Sequence, residues 1–283
     1  MTGSAAALEE RLLEDPDDAG AWGAYAAWLR AQGDPRGDWF GFEALAATAE
    51  ERALVPGWLA REQVHRTPVG AMTRDCEWRH GFVVGVRFQV GGRRDARVLR
   101  ELMADPRSGL VSRLELVFAE EAPARGLSLL AEVELGRLRS LRARYQGRGN
   151  QVARALAGQS ALSLRILDLR HSGLTDEGLV ALAGCERLRG LRALYLQRNR
   201  FTARGVSALA RAPALAQLEV LDLRYNAIEP AGAAALADSP HLGGLTALHV
   251  HAEELEPEGV RALASSRTLP RDLVRYWRGR EGR

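Results

Sequence analysis

Aliphatic residues return along the second half of the chain at a fixed interval. The sequence reads L-R-I-L-D-L-R-H-S from Leu164 and L-R-A-L-Y-L-Q-R-N from Leu191. It reads L-E-V-L-D-L-R-Y-N from Leu218 and L-T-A-L-H-V-H-A-E from Leu245, so the frame reopens every 27 residues. Three looser copies come first: Leu138 opens LRSLRARYQ, Val111 opens VSRLELVFA and Val83 opens VVGVRFQVG. Within each copy, apolar and polar positions alternate at the period of a short strand with one buried face. A second register follows each strand. Gly178, Gly205, Gly232 and Gly259 are each followed by an apolar residue and, one position on, by Ala-Leu-Ala. That run predicts a helix.

The helix starts are marked locally. Thr175 and Thr202 suit the N-cap, and Pro230 and Pro257 suit the first helical position, where a missing N–H costs nothing. The recurring glycine removes a side chain, as expected if the helix lies close to the strand layer. No single unit can bury its own leucines, so the units must stack to share one core. Seven strand-helix units are expected over residues 83–265.

At this point the chain resembles the leucine-rich repeats, whose pattern is L-x-x-L-x-L-x-x-N. Asn199 and Asn226 hold the Asn position, while Ser172 and Glu253 replace it in neighbouring copies. The runs GLVALA, GVSALA, GAAALA and GVRALA look like the ribonuclease-inhibitor and Gly-Ala-Leu-Ala subclasses. The resemblance implies an α/β solenoid, a horseshoe with a curved parallel sheet inside and helices outside.

Solenoid ends expose apolar rows and need covers. After Pro270, Leu273, Val274 and Trp277 fall at helical spacing, so residues 266–283 read as a C-terminal cap with a basic tail. Residues 1–66 lack the repeat frame and hold four of the six tryptophans. Asp17-Asp18 before AGAWGAYAAWLRAQ suits a helix start, Gly33-Asp34-Pro35 a stop, and Trp22, Tyr25, Ala26 and Leu29 form one apolar stripe. WFGFEALAATAEERAL and GWLAREQVHR predict further helices, and residues 67–82 a connector. Asp15-Pro16-Asp17-Asp18, Tyr25, Trp28-Leu29 and Gly33-Asp34-Pro35-Arg36-Gly37 resemble the small repeat-companion domain found ahead of repeats in many bacterial proteins. Here Ala27 stands where that domain would carry an acid. A helical cap over the first strand is the expected role.

Composition changes this picture little. The 283 residues carry a formal charge of +3, with every one of the 39 basic residues an arginine. An arginine-only basic set reads as coding bias, so one isolated arginine carries little weight. Cys76 and Cys185 are too few and too far apart for a disulfide framework or a zinc ribbon. The N-terminal stretch turns acidic before any signal-like apolar core, and no apolar run reaches the ~20 residues of a membrane span. A cytoplasmic protein with no membrane association is the expectation. Nothing in the sequence indicates an oligomeric state.

Candidate chemistry is sparse. His249 and His251 share one strand face, but no third metal ligand accompanies them. Cys185 reads as packed, and GGRRD at 91–95 as a strand-to-helix turn. No cofactor and no catalytic set is expected. The strand faces are richer. Between the inner apolar positions lie Arg87, Glu115, Arg142, Asp168, Tyr195, Asp222 and His249, expected to face solvent. Two positions on come Arg144, Arg170, Arg224 and His251, and at the strand ends Tyr145, His171, Arg198 and Tyr225. Seven strands at about 4.8 Å span roughly 29 Å, room for a helix or small domain. Tyrosine and arginine dominate binding hot spots. The expected function is a non-catalytic scaffold or adaptor with a protein partner on this concave face. Two alternatives stand beside it: a regulator of an enzyme, inhibitor or GTPase activator, and a binder of single-stranded nucleic acid. The interleaved Glu115, Asp168 and Asp222 argue against nucleic acid.

Overall fold

The computed structural model describes residues 4–40, 76–80, 82–90, 95–104, 108–118, 128–144 and 147–281. Strand and helix alternate along the repeats. The strands are β1 (Cys76–Arg79), β2 (Phe82–Val90), β3 (Arg113–Phe118), β4 (Ser140–Ala143), β5 (Ile166–Asp168), β6 (Ala193–Tyr195), β7 (Val220–Asp222) and β8 (Ala247–His249). They form one sheet in chain order. β2 to β8 are parallel, and β1 pairs antiparallel with β2. The stretch read as a connector therefore supplies an eighth strand, turning back through His80. Between the strands run α3 (Asp95–Ala104), α4 (Ser128–Glu132), α5 (Gly149–Ala157), α6 (Asp176–Ala183), α7 (Ala203–Ala210) and α8 (Glu229–Ala237), with α9 (Glu256–Ala264) and α10 (Arg271–Arg278) after β8. Each of these helices packs on the next.

Register follows the repeat. Val86, Leu114, Leu141, Leu167, Leu194, Leu221 and Leu248 form one cross-strand row. All seven are buried in the main core, together with the helix leucines Leu156, Leu182, Leu209, Leu236 and Leu263. Burial of one such side chain contributes about 1.5–3 kcal/mol. The row continues through the degenerate copies, so period rather than leucine identity sets the stack.

Asparagine closes the rung where the strand ends. Asn199 Nδ2 donates to the carbonyls of Leu169 and Leu196 at 2.9 and 2.8 Å, and its Oδ1 accepts from the N–H groups of Ser172 and Leu174. Asn226 repeats this one rung on, donating to Leu196 and Leu223 and accepting from Asn199 N–H. Where asparagine is replaced, the bonding is patched. Ser172 Oγ donates to Leu169 O at 2.7 Å. In the last copy it is Glu254, not Glu253, that accepts from a backbone N–H, that of Tyr225 at 2.7 Å.

The recurring glycine does not serve the strand layer. A Cβ on Gly178 would lie 2.4 Å from Leu174 Cδ1 in its own loop and 2.5 Å from Asn150 Oδ1 at the start of α5. A Cβ on Gly205 would meet Asp176 Oδ1 at 2.6 Å. The missing side chain lets one helix start nest against the preceding helix start. There Asp176 accepts from Thr202 N–H and Gly205 N–H, and Asn150 accepts from Thr175 N–H. Thr175 and Thr202 do occupy the N-caps, and Thr202 Oγ1 accepts from Arg204 N–H. Pro230 and Pro257 sit in the opening turns behind Glu229 and Glu256, whose φ of 59° and 55° bend the chain into α8 and α9.

Two helices cover the N-terminal side. α1 (Ala5–Glu14) has no counterpart in the sequence reading; α2 (Ala19–Ala31) starts at Asp18, which accepts from Ala21 N–H. Trp22, Tyr25 and Leu29 of α2 join Leu8, Leu12 and Leu13 of α1 around Phe82, Val84 and Leu110 in a second core. Trp22 and Tyr25 lie 5.8 and 5.7 Å from the Phe82 ring, and Arg36 stacks on it at 4.7 Å. Arg36 is itself fixed by both oxygens of Asp34. Gly37 must lack a side chain, because a Cβ would stand 2.7 Å from the α2 backbone. The further helices expected between 41 and 66, and the connector up to 75, lie outside the described residues. At the other end α10 buries Val274 and Trp277 against the last repeat, and Arg278 Nε donates to Ala264 O at 2.9 Å.

Candidate protein-docking face

The face opposite the helices carries three ordered rows. The first is Arg87, Glu115, Arg142, Asp168, Tyr195, Asp222 and His249, each paired in register with the next. The second, two residues on, holds Arg144, Arg170, Gln197, Arg224 and His251. The third lies where the strands end. His171, Arg198 and Tyr225 all have left-handed backbone, with φ of 51°, 54° and 62°. Such a conformation is uncommon for bulky residues. It recurs at one register because His171 N–H and Arg198 N–H bond the carbonyls of Gln197 and Arg224 in the next rung.

The third row is aromatic and cationic. Arg198 Cζ lies 4.8 Å from the Tyr225 ring, which tilts against His251 at 4.5 Å. Tyr225 remains 50% exposed, among the most exposed large apolar side chains described. Tyr195, half-buried, lies with its ring 5.6 Å from Arg170 Cζ. Burial and the guanidiniums of Arg198 and Arg170 lower the pKa of the His171 imidazole from its ordinary value. The row thus presents rings and one exposed charge held in place by stacking.

The family model described as Leucine Rich repeat matches residues 161–183, 189–210 and 216–237. Three of the stacked units are thus leucine-rich repeats. These repeats commonly serve as protein-interaction modules. A comparison with curated proteins finds no match for the chain. The matched repeats hold β5, β6 and β7, and the strand ends after them carry His171, Arg198 and Tyr225.

Two expected contact residues of these repeats are corrected. Asp168 and Asp222 were expected to face solvent; they are 2% and 1% exposed. Each is covered by the arginine two positions on. Arg170 Nε and Nη2 reach Asp168 at 2.9 and 2.7 Å, and Arg224 makes the same two bonds to Asp222 at 3.0 and 2.6 Å. Gln197 Nε2 adds a 2.5 Å bond to Asp222. Bidentate forks of this kind are strong. Arg170 and Arg224 are therefore spent on the protein's own acids, and both pairs belong to the scaffold.

The other expected residues divide by position. Arg144 bonds Glu115 at 2.8 Å and approaches Asp168 at 3.6 Å. Arg142, Arg198 and His249 are exposed. Tyr145 lies outside the described residues. His251 is occupied by Tyr225, and among the described residues no group of three or more His, Cys, Asp or Glu side chains is arranged to hold a metal ion. Cys185 is packed, and burial raises its thiol pKa. No helix among the described residues is long and apolar enough to cross a membrane.

Proposed function

We propose that the chain is a non-catalytic scaffold that docks a protein partner on the strand face, with Tyr195, Arg198 and Tyr225 as anchors. The supporting observation is the strand-end row, in which a half-exposed tyrosine is braced by an arginine on one side and a histidine on the other. A solvated surface has no need to hold an aromatic ring ready, whereas a binding surface gains from anchors whose rotamers are already fixed. Arg142 orients acidic groups of the partner. Asp168, Asp222, Arg170 and Arg224 hold the face in shape. In this proposal α1 and α2 act as a cap, of the repeat-companion kind that their motifs resemble, because their aromatic stripe is consumed on Phe82.

The test is capture of the partner from its native cell by the tagged chain. Tyr195→Ala with Tyr225→Ala is expected to cost at least about tenfold in capture, since tyrosine hot spots contribute 2 kcal/mol or more. Undiminished capture by a variant with an unchanged melting temperature would contradict the assignment. Regulation of an enzyme rests on fold analogy alone. Single-stranded nucleic acid fits poorly, because Arg170, Arg224 and Arg144 are engaged with Asp168, Asp222 and Glu115 and leave no continuous row of arginines for phosphates.

A further inference from the structure

We propose that the side-chain carboxylate of an acidic residue on the protein partner seats in a cleft at the opposite end of the strand face, between Arg87 and Arg142 and beside Arg113. The proposal deepens the docking assignment and rests on it. The cleft, of about 150 Å³, is lined by Glu77, Gly85, Arg87, Arg113, Glu115 and Arg142, among others. Gly85 makes room for it. A Cβ there would stand 2.9 Å from Glu77 Oε2, so its absence lets Glu77 lean across β2 towards Arg113 on β3.

Both acids of the cleft are already neutralised. Arg113 Nη2 donates to Glu77 Oε1 at 2.7 Å, with Arg79 Nη2 at 3.2 Å from the same oxygen. Glu115 is taken by Arg144 at 2.8 Å. The cleft itself is lined by three guanidiniums and two carboxylates, and Arg79 and Arg144, which help to neutralise those acids, also reach Asp17 and Asp168 outside it. Arg87 and Arg142 flank Glu115 in register, both are exposed, and neither has an ion pair or hydrogen bond among the described residues. Arg113 Nε is buried and finds no acceptor among the described residues. A buried guanidinium N–H without an acceptor is costly, and an incoming carboxylate offers two oxygens in the geometry that a guanidinium fork accepts. A run of phosphates fits less well, since Arg87 and Arg142 are two neighbouring charges rather than a track along the face.

Strands β3 and β7 are four spacings apart, so the cleft and the Tyr225 anchor are separated by about 19 Å across the sheet. The partner should carry its acid and its apolar contact at that separation.

Fluorescence anisotropy of the full chain with fluorescein-labelled hexaglutamate at low salt tests the cleft. Arg87→Gln with Arg142→Gln is expected to weaken binding about tenfold or more, as loss of charge-assisted bonds should. Arg267→Gln with Arg271→Gln, exposed and outside the cleft, should leave binding unchanged. Hexaglutamine should not bind. Any of four results would overturn the proposal: no binding of hexaglutamate by the unaltered chain, equal binding by the Arg87/Arg142 variant, equal binding of hexaglutamine, or tighter binding of a thymidine oligonucleotide of equal charge that depends on the same two arginines. The two proposals fail separately. Partner capture indifferent to Tyr195 and Tyr225 counts against the anchors, and hexaglutamate binding indifferent to Arg87 and Arg142 counts against the cleft.

Discussion

Glu14 and Arg165 stand 151 residues apart in the chain, yet Glu14 Oε1 accepts a 2.8 Å hydrogen bond from Arg165 Nη2. The same carboxylate accepts from Arg139 Nε at 2.8 Å, and Arg139 reaches Glu10 at 2.5 Å. Helix α1 is thereby tied to the chain just ahead of β4 and β5, well beyond the first strand that it helps to cover. These ion pairs join the cap to the repeats at this seam.

Removing the acids should loosen the cap. Glu14→Gln alone is expected to cost about 1 kcal/mol, because the Arg165 pair is solvated and Arg139 keeps Glu10. Glu10→Gln with Glu14→Gln strands Arg139, whose side chain is only 8% exposed, and should cost about 3 kcal/mol. Urea unfolding followed by tryptophan fluorescence reads both, and additivity of two small effects would contradict a shared role at Arg139.

The same seam is acid-sensitive. The hydrogen bond from Arg165 and the charges of Arg139 and Arg165 hold the Glu14 carboxyl below its ordinary value of 4.5. A depressed folded pKa contributes stability above the unfolded value and loses it as pH falls through the folded one. The stability difference between the unaltered chain and Glu14→Gln should therefore be constant above pH 5 and shrink as pH falls below 4.5. A difference independent of pH down to 3 would show that the carboxylate charge does not matter there.

Asparagine at the strand end should be worth more than its exposure suggests. Asn226→Ala leaves the carbonyl of Leu223 without its side-chain donor, that of Leu196 with Asn199 alone, and Asn199 N–H without its acceptor. The expected loss is about 3 kcal/mol. Ser172→Ala removes one hydroxyl proton shared between Leu169 O, which Asn199 also serves, and Asn199 Oδ1, and should cost about 1 kcal/mol. Equal losses in urea unfolding would contradict the ladder.

Glycine-to-alanine changes should have opposite signs at two sites. In Gly205→Ala the new Cβ would stand 2.6 Å from Asp176 Oδ1, and overpacking of about 1–3 kcal/mol should outweigh alanine's helix preference of about 1 kcal/mol. Gly184 has helical backbone at φ −79° and nothing closer than 3.5 Å to a Cβ, so Gly184→Ala should stabilise by about 0.5 kcal/mol. Thermal unfolding distinguishes them, and a Gly205→Ala variant as stable as the unaltered chain would contradict the nesting of helix starts.

Much of this was legible in the residues. The 27-residue frame gave the rows, and Leu167, Leu194, Leu221 and Leu248 lie on successive rungs because a fixed interval leaves stacking as the way to bury them. What escaped was set by contacts between distant segments. Helix α1 is fixed by Arg139 and Arg165, whose role no local pattern announces. The glycine register was visible, but its neighbour was not, since helix-to-helix spacing is a tertiary quantity. Asp168 and Asp222 were misplaced because alternation tells which face a residue is on, not whether a longer neighbour folds over it. The D-L-R tripeptide at 168–170 and 222–224 was the signal, an acid and a fork on the same face two positions apart.

The docking face itself is tested most directly by site-specific photo-crosslinking. A benzoylphenylalanine placed at position 225, on the strand-end row, is compared in the native cell with one at position 180, where Val180 is equally exposed on α6. A face that holds the partner gives a discrete adduct from position 225 and none from position 180. An adduct from position 180 alone would place the partner on the helices and contradict it.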